Sequence, residues 1–135
     1  MRFTFCTILN FLLFFASAQS IPWKSTHNWK VYNISGGNIF SYSADTLKGF
    51  SYCMLDEDSM QSFLSTVSIL PSDDAPVWMG AHLASYEKNE MMYKVEISQY
   101  GGFFYDEKNQ QYFQVSPQLR EKWHDYIRRC FMSFK

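Results

Sequence analysis

Residues 77–115 limit the fold of this chain more than any other stretch. Val77 to Tyr86 and Met91 to Ser98 are rich in aromatic and β-branched residues, Gly101-Gly102 interrupts, and Phe103 to Val115 resumes around a polar centre, Asp106 to Gln111. Such residues suit a pleated, half-buried surface, and turn chemistry bounds each run, so three or four strands are predicted here.

Parity sets the expected pairing. Val77, Met79, Ala81 and Leu83 share one face of their strand, and Met91, Tyr93, Val95 and Ile97 share one face of the next. Pairing apolar with apolar predicts a three-residue loop, Glu87 to Asn89, which sets Leu83 against Tyr93 and leaves Asn89 left-handed. The reverse face then carries Trp78, His82, Lys94, Glu96 and Ser98. In the closing hairpin, Phe104 is expected opposite Phe113 and Tyr105 opposite Tyr112, so both of its faces are aromatic. Helices must cover both faces, or one of them meets solvent.

Upstream, Ile21 to Asn28 reads as an extended lead-in, and Trp29 to Ile34 as a strand. A turn at Ser35 to Asn38 leads to a hairpin mate, Ile39 to Ser43, and Gly49 to Met54 forms a further short strand. Asn33-Ile34-Ser35 matches a glycosylation sequon. Two helices are predicted. Asp56-Glu57-Asp58 supplies the acids that suit a first turn, and Met60, Phe63, Leu64 and Val67 recur at helical spacing until Pro71. Ser116 is the expected N-cap of the second, with Pro117 in its first turn and Leu119, Trp123, Ile127, Cys130 and Phe131 as its apolar stripe.

The first eighteen residues read as a leader rather than as structure. Met1-Arg2 is basic, Phe3 to Phe15 is mostly apolar, and Ala16-Ser17-Ala18 presents small residues for cleavage. The apolar run is too short to span a bilayer. Residues 1–18 are therefore expected to be a cleaved signal peptide and 19–135 a single α+β domain, secreted or periplasmic. Cys6 leaves with the leader, so Cys53 and Cys130 remain as a pair in an oxidising compartment. A bond between them closes a long loop and is worth roughly 4 kcal/mol by loop entropy.

Without Arg2, eleven basic residues face thirteen acidic ones. That near balance argues against nucleic acid, which demands a clustered basic surface. His27, His82 and His124 have no common spacing, and zinc, phosphate-loop, dinucleotide and nucleophile-elbow motifs are all missing. His124-Asp125 cannot act as a base with its orienting acid, because helix neighbours point about 100° apart. The acid triplet at 56–58 lacks the further oxygen ligands of a calcium loop. No catalytic residue, metal or cofactor is expected, and no integral membrane segment after leader removal.

Aromatic residues make up 19% of the chain, and they concentrate in the closing hairpin. Tyr100, Phe103, Phe104, Tyr105, Asp106, Glu107, Tyr112 and Phe113 are the predicted partner-binding residues. Rings on a stiff ribbon offer large contact area at low entropic cost. The competing reading of the same rings is an aromatic core with an ordinary polar turn.

Trp78-Met79-Gly80 and the Trp123 to Cys130 ending resemble parts of C-type-lectin-like domains. The chain lacks that family's Glu-Pro-Asn and Trp-Asn-Asp calcium motifs and one of its two usual disulfides, and its C-terminal helix fits poorly, so no membership is assigned. In size, leader and single disulfide the chain is similar to small exported inhibitors, including periplasmic immunity proteins that block a toxin's active site. The expected fold is α+β: an antiparallel sheet of about six to seven strands with two amphipathic helices packed on one side and one disulfide, Cys53–Cys130. The expected function is non-enzymatic binding of another protein, a secreted enzyme or toxin, as an inhibitor or immunity factor. The alternatives are a small secreted hydrolase or ligand carrier with a cleft near His82 and Trp78, and an envelope-associated structural protein.

Overall fold

In the computed structural model, which describes residues 23–35, 39–71 and 81–134, the strands are β1 (His27–Ser35), β2 (Tyr52–Met54), β3 (Ser68–Ile69), β4 (Ala81–Lys88), β5 (Met91–Ser98), β6 (Phe103–Asp106) and β7 (Gln111–Gln114). The helices are α1 (Ala44–Leu47), α2 (Glu57–Leu64) and α3 (Arg120–Met132). All seven strands join one antiparallel sheet in the order β2-β1-β4-β5-β6-β7-β3. The leader at 1–18 and the residues Val77, Trp78 and Met79 lie outside the described residues. No helix among those described is long and apolar enough to cross a membrane.

One face of the sheet lies under α2 and α3. Val31, Ala84, Val95, Ile97, Phe104 and Phe113 from the strands meet Met60, Phe63 and Leu64 from α2 and Trp123, Ile127 and Cys130 from α3, all buried. The Asp56 carboxylate caps α2 by accepting the Ser59 N–H at 2.8 Å, and that bond holds its carboxyl below the usual range. The helix stops at Leu64, short of the expected Val67, and Ser68–Ile69 pairs with β7 as an edge strand. Ser116 makes no side-chain cap. Pro117–Leu119 forms a 3-10 turn that leads into α3. Cys53 is bonded to Cys130 across 77 residues, tying α3 to β2 just before α2 begins.

Trp23 corrects the extended lead-in expected around it. Left-handed backbone at Ser25 (φ 62°) and Asn28 (φ 51°) turns the chain back on itself, and the Trp23 ring enters the core against Trp29, Tyr86, Phe104 and Phe113, with centroids 5.0–5.9 Å away. Thr26 closes the turn. Its hydroxyl donates to the Trp23 carbonyl at 2.9 Å and accepts the Trp29 indole N–H at 3.0 Å.

Residues 39–50 cover part of the opposite face and correct the hairpin mate predicted at Ile39 to Ser43. Both edges of β1 are taken, by β2 and β4, so no ladder is open to that segment. It forms a 3-10 turn at Ile39–Ser41 and then α1, capped by the Ser43 hydroxyl accepting the Thr46 N–H at 3.2 Å. Ile39 and Leu47 pack on Tyr32, Ile34 and Leu83, with Phe40, Tyr42 and Phe50 at the margin.

That second small core explains a register correction. β4 and β5 join through a two-residue turn, Asn89-Glu90, both left-handed (φ 51° and 62°), the geometry that matches strand twist. Leu83 therefore faces Glu96 and Tyr86 faces Tyr93, while His82 pairs with Ile97 on the helix-covered side, away from Lys94 and Glu96. A one-residue change of loop length moves every side chain to the other face. Leu83 accepts the exchange because Leu47 and Ile39 shelter it. The closing hairpin pairs Phe104 with Phe113 and Tyr105 with Tyr112, after a bend in which Gly101 (φ 74°) and Gly102 (φ 67°) are both left-handed.

Candidate functional site

The eight hairpin residues divide between the two faces and the two ends of the ribbon. Phe104, Phe113 and Asp106 are enclosed. Phe104 and Phe113 belong to the helix-covered core, where Phe104 also meets Trp123 at 4.8 Å. Asp106 organises the tip: it accepts the Lys108 N–H at 3.0 Å and the Asn109 side-chain amide at 2.5 Å. These three residues are buried and build the ribbon.

Tyr105 and Tyr112 point the other way. Their rings lie 4.7 Å apart on the outward face, and Phe40 from the covering segment approaches Tyr105 at 5.8 Å. The row Phe40, Tyr105, Tyr112 is half-buried throughout. Phe103, also half-buried, pairs with Gln114 on that face.

Acidic groups border the row. Glu96 sits opposite Tyr105, and burial pushes its carboxyl above the ordinary value. Burial likewise raises the Tyr105 phenol, with the Tyr112 hydroxyl and nearby carboxylates adding to it. Glu107 at the tip lies 3.5 Å from the Lys94 ammonium. Lys94 in turn donates to the carbonyls of Phe40 and, at 3.3 Å, Tyr42. One lysine thus ties the covering segment, the sheet and the hairpin tip together.

Tyr100 lies at the opposite end of the ribbon from Glu107. It is 52% exposed and stacks on His124 of α3 at 5.1 Å, while the His124 Nε2 contacts the Gln99 amide at 3.2 Å. The His124 Nδ1 is 3.8 Å from the Asp125 carboxylate, beyond hydrogen-bond reach. Tyr100 therefore forms a separate aromatic point, out of line with the Tyr105–Tyr112 row.

His82, the centre of the alternative reading, is half-buried beneath Phe131 with ring centroids 3.9 Å apart. Its Nδ1 is buried without a hydrogen-bond partner. Desolvation lowers its pKa, opposed by hydrogen bonding to the backbone of Tyr32 and Ile34. Among the described residues the ion pairs that histidines make belong to His27 and His124, and none joins His82 to a carboxylate. Trp78 is outside the described residues. No group of three or more His, Cys, Asp or Glu residues among those described could hold a metal.

Sequence reasoning misses Phe40: it predicts a strand at 39–43, whereas Phe40 lies in a 3-10 turn over Tyr105. The signal is the aromatic-serine alternation of residues 40–43, which also suits a segment lying on a sheet face. No family model, curated protein or solved structure matches this chain.

Proposed function

We infer that this chain is an exported, non-enzymatic binding protein, an inhibitor or immunity factor that blocks a secreted enzyme or toxin by covering it. The contact surface is the outward face of β6–β7, with Tyr105, Tyr112 and Phe40 as anchors and Glu107 at its border. One observation carries this reading: the Tyr105 and Tyr112 rings pack against each other, tilted at 39° with centroids 4.7 Å apart, at a half-buried surface while their neighbours Phe104 and Phe113 fill the core. Paired rings on a hydrogen-bonded ribbon lose little freedom on binding, which is the property of an interface anchor. Export is supported by the leader pattern and by the Cys53–Cys130 bond, which suits an oxidising compartment.

The test is capture of a partner from the secreted fraction of the source by the immobilised protein, repeated with Tyr105→Ala/Tyr112→Ala. Affinity is expected to fall at least about tenfold, the loss typical of removing central aromatic anchors, with near-ultraviolet circular dichroism showing retained packing. Undiminished binding by the folded double variant overturns the assignment of this face.

A further inference from the structure

The outer edge of β2 carries hydrogen-bonding capacity that the sheet does not use. The Leu55 N–H donates to the Trp29 carbonyl at 2.9 Å, and the Asn33 N–H donates to the Ser51 carbonyl at 2.9 Å. With Val31 opposite Cys53, residues 51, 53 and 55 therefore direct their backbone groups toward β1. In an antiparallel ladder the residues between them point theirs away. Tyr52 and Met54 thus present two N–H and two C=O groups at the edge, with no partner among the described residues. The Cys53 sulfur lies 3.6 Å from the Met54 carbonyl but carries no proton to donate, being in the disulfide.

Two further features mark this edge as a place for a ligand. Tyr52 and Met54 are large apolar residues about half exposed (48% and 52%) on one side of it. On its other side lies an open groove of about 460 Å³ over the Cys53–Cys130 bond, lined by Leu55, Asp56, Ser59, Tyr126 and Arg129. The groove holds one acid and one base, and they differ in what already occupies them. Asp56 stays ionised but accepts the Ser59 N–H in capping α2. Arg129 donates through Nε to the Asp125 carbonyl at 3.3 Å, and among the described residues it makes no ion pair, unlike Arg128, which meets Asp125 at 3.6 Å. On the Tyr52 side, Lys30 sits over the Tyr52 ring at 4.9 Å, also without an acid. A cation with no acid partner among the described residues therefore flanks the edge on each side.

We propose that β2 adds an extended, acidic strand of a partner protein to the sheet. Side chains alternate along a strand, so the residue opposite Cys53 enters the groove and meets Arg129, while its two neighbours lie over Tyr52 and Met54. The preferred occupant reads apolar, acidic, apolar. Backbone bonds give it affinity and the alternating side chains give it selectivity, as in other strand-addition complexes. A second copy of this chain is the poorer occupant: two-fold pairing about Cys53 brings both disulfides, and with them both Arg129 side chains, toward the axis. This surface is distinct from the Tyr105–Tyr112 face, and the proposal stands independently of the function assigned to that face.

The test is an NMR amide titration of the oxidised protein with a short capped peptide centred on Val-Glu-Val. Shifts are expected at Tyr52, Cys53 and Met54. N-methylation of the two valines, whose N–H groups would face β2, is expected to abolish them. Replacing the peptide Glu by Gln, or making Arg129→Gln, should each weaken binding about five- to tenfold, as for a charge-assisted contact, and the two changes together should do little more than either alone. Tyr105→Ala/Tyr112→Ala should leave this titration unchanged. An absence of shifts at β2, or equal binding of the N-methylated peptide, overturns the proposal. Concentration-dependent shifts at β2 in the protein alone would also overturn it, assigning the edge to a second copy.

Discussion

The two faces of the sheet use the same kinds of side chain for opposite purposes. Beneath α2 and α3, Trp23, Trp29, Phe104, Phe113 and Trp123 are buried in one contiguous core closed by a disulfide. On the other face a smaller core around Leu83 and Leu47 covers part of the sheet, and the aromatic row beyond it is half-buried. Phe104 and Tyr105 are adjacent in sequence yet belong to these two environments, because a strand sends successive side chains to opposite sides. Aromatic content alone therefore says little about function. The side of the pleat on which a ring falls decides whether it holds the fold or is available to a partner.

The strongest challenge to this contrast comes from the covered face. Trp123→Ala removes a fully buried ring and its 2.8 Å bond to the Ser98 carbonyl, and is expected to cost about 3–5 kcal/mol, read from denaturant unfolding. Replacing both cysteines by Ala should cost about 4 kcal/mol by the loop-entropy model. Hydrogen exchange should then show α3 opening first, with β6–β7 still protected. If the aromatic row lost protection before α3, the two faces would not be separate units.

The other face should respond more gently. Lys94→Met breaks the bonds to the Phe40 and Tyr42 carbonyls and is expected to cost about 1–2 kcal/mol. Proton NMR should show the Ile39–Leu47 cluster loosening while the Trp123 signals keep their positions. Glu96 gives the smallest effect, and its sign follows from its raised pKa. The folded protein holds this proton more tightly than the unfolded chain, so ionised Glu96 reduces stability above its folded pKa. That loss disappears as pH falls below the ordinary carboxyl value. Glu96→Gln should raise the unfolding midpoint slightly at neutral pH and leave it unchanged at about pH 3.

How much the sequence revealed varied from element to element. The closing hairpin was legible because Phe104 with Phe113 and Tyr105 with Tyr112 satisfy one register on both faces at once. The stripes of α2 and α3 were legible because their opposite sides are polar. The β4–β5 turn was not, because the parity argument assumed one buried face, whereas Leu83 has a core of its own on the other. Trp23 was hidden for a different reason. Its place depends on left-handed backbone at Ser25 and Asn28, a conformation that asparagine tolerates and serine rarely adopts. The groove beside β2 had no sequence signal, since it exists only where the Cys53–Cys130 bond brings Arg129 to the sheet edge.

The division of rings by face is tested most directly by unfolding Phe104→Ala and Tyr105→Ala side by side in denaturant. Phe104→Ala is expected to lose about 3–5 kcal/mol, as a buried ring does, and Tyr105→Ala about 1 kcal/mol, as a half-buried ring nearer the surface does. Equal losses would mean that both sides of the ribbon are core, leaving no ring of the Tyr105–Tyr112 pair to spare for a partner.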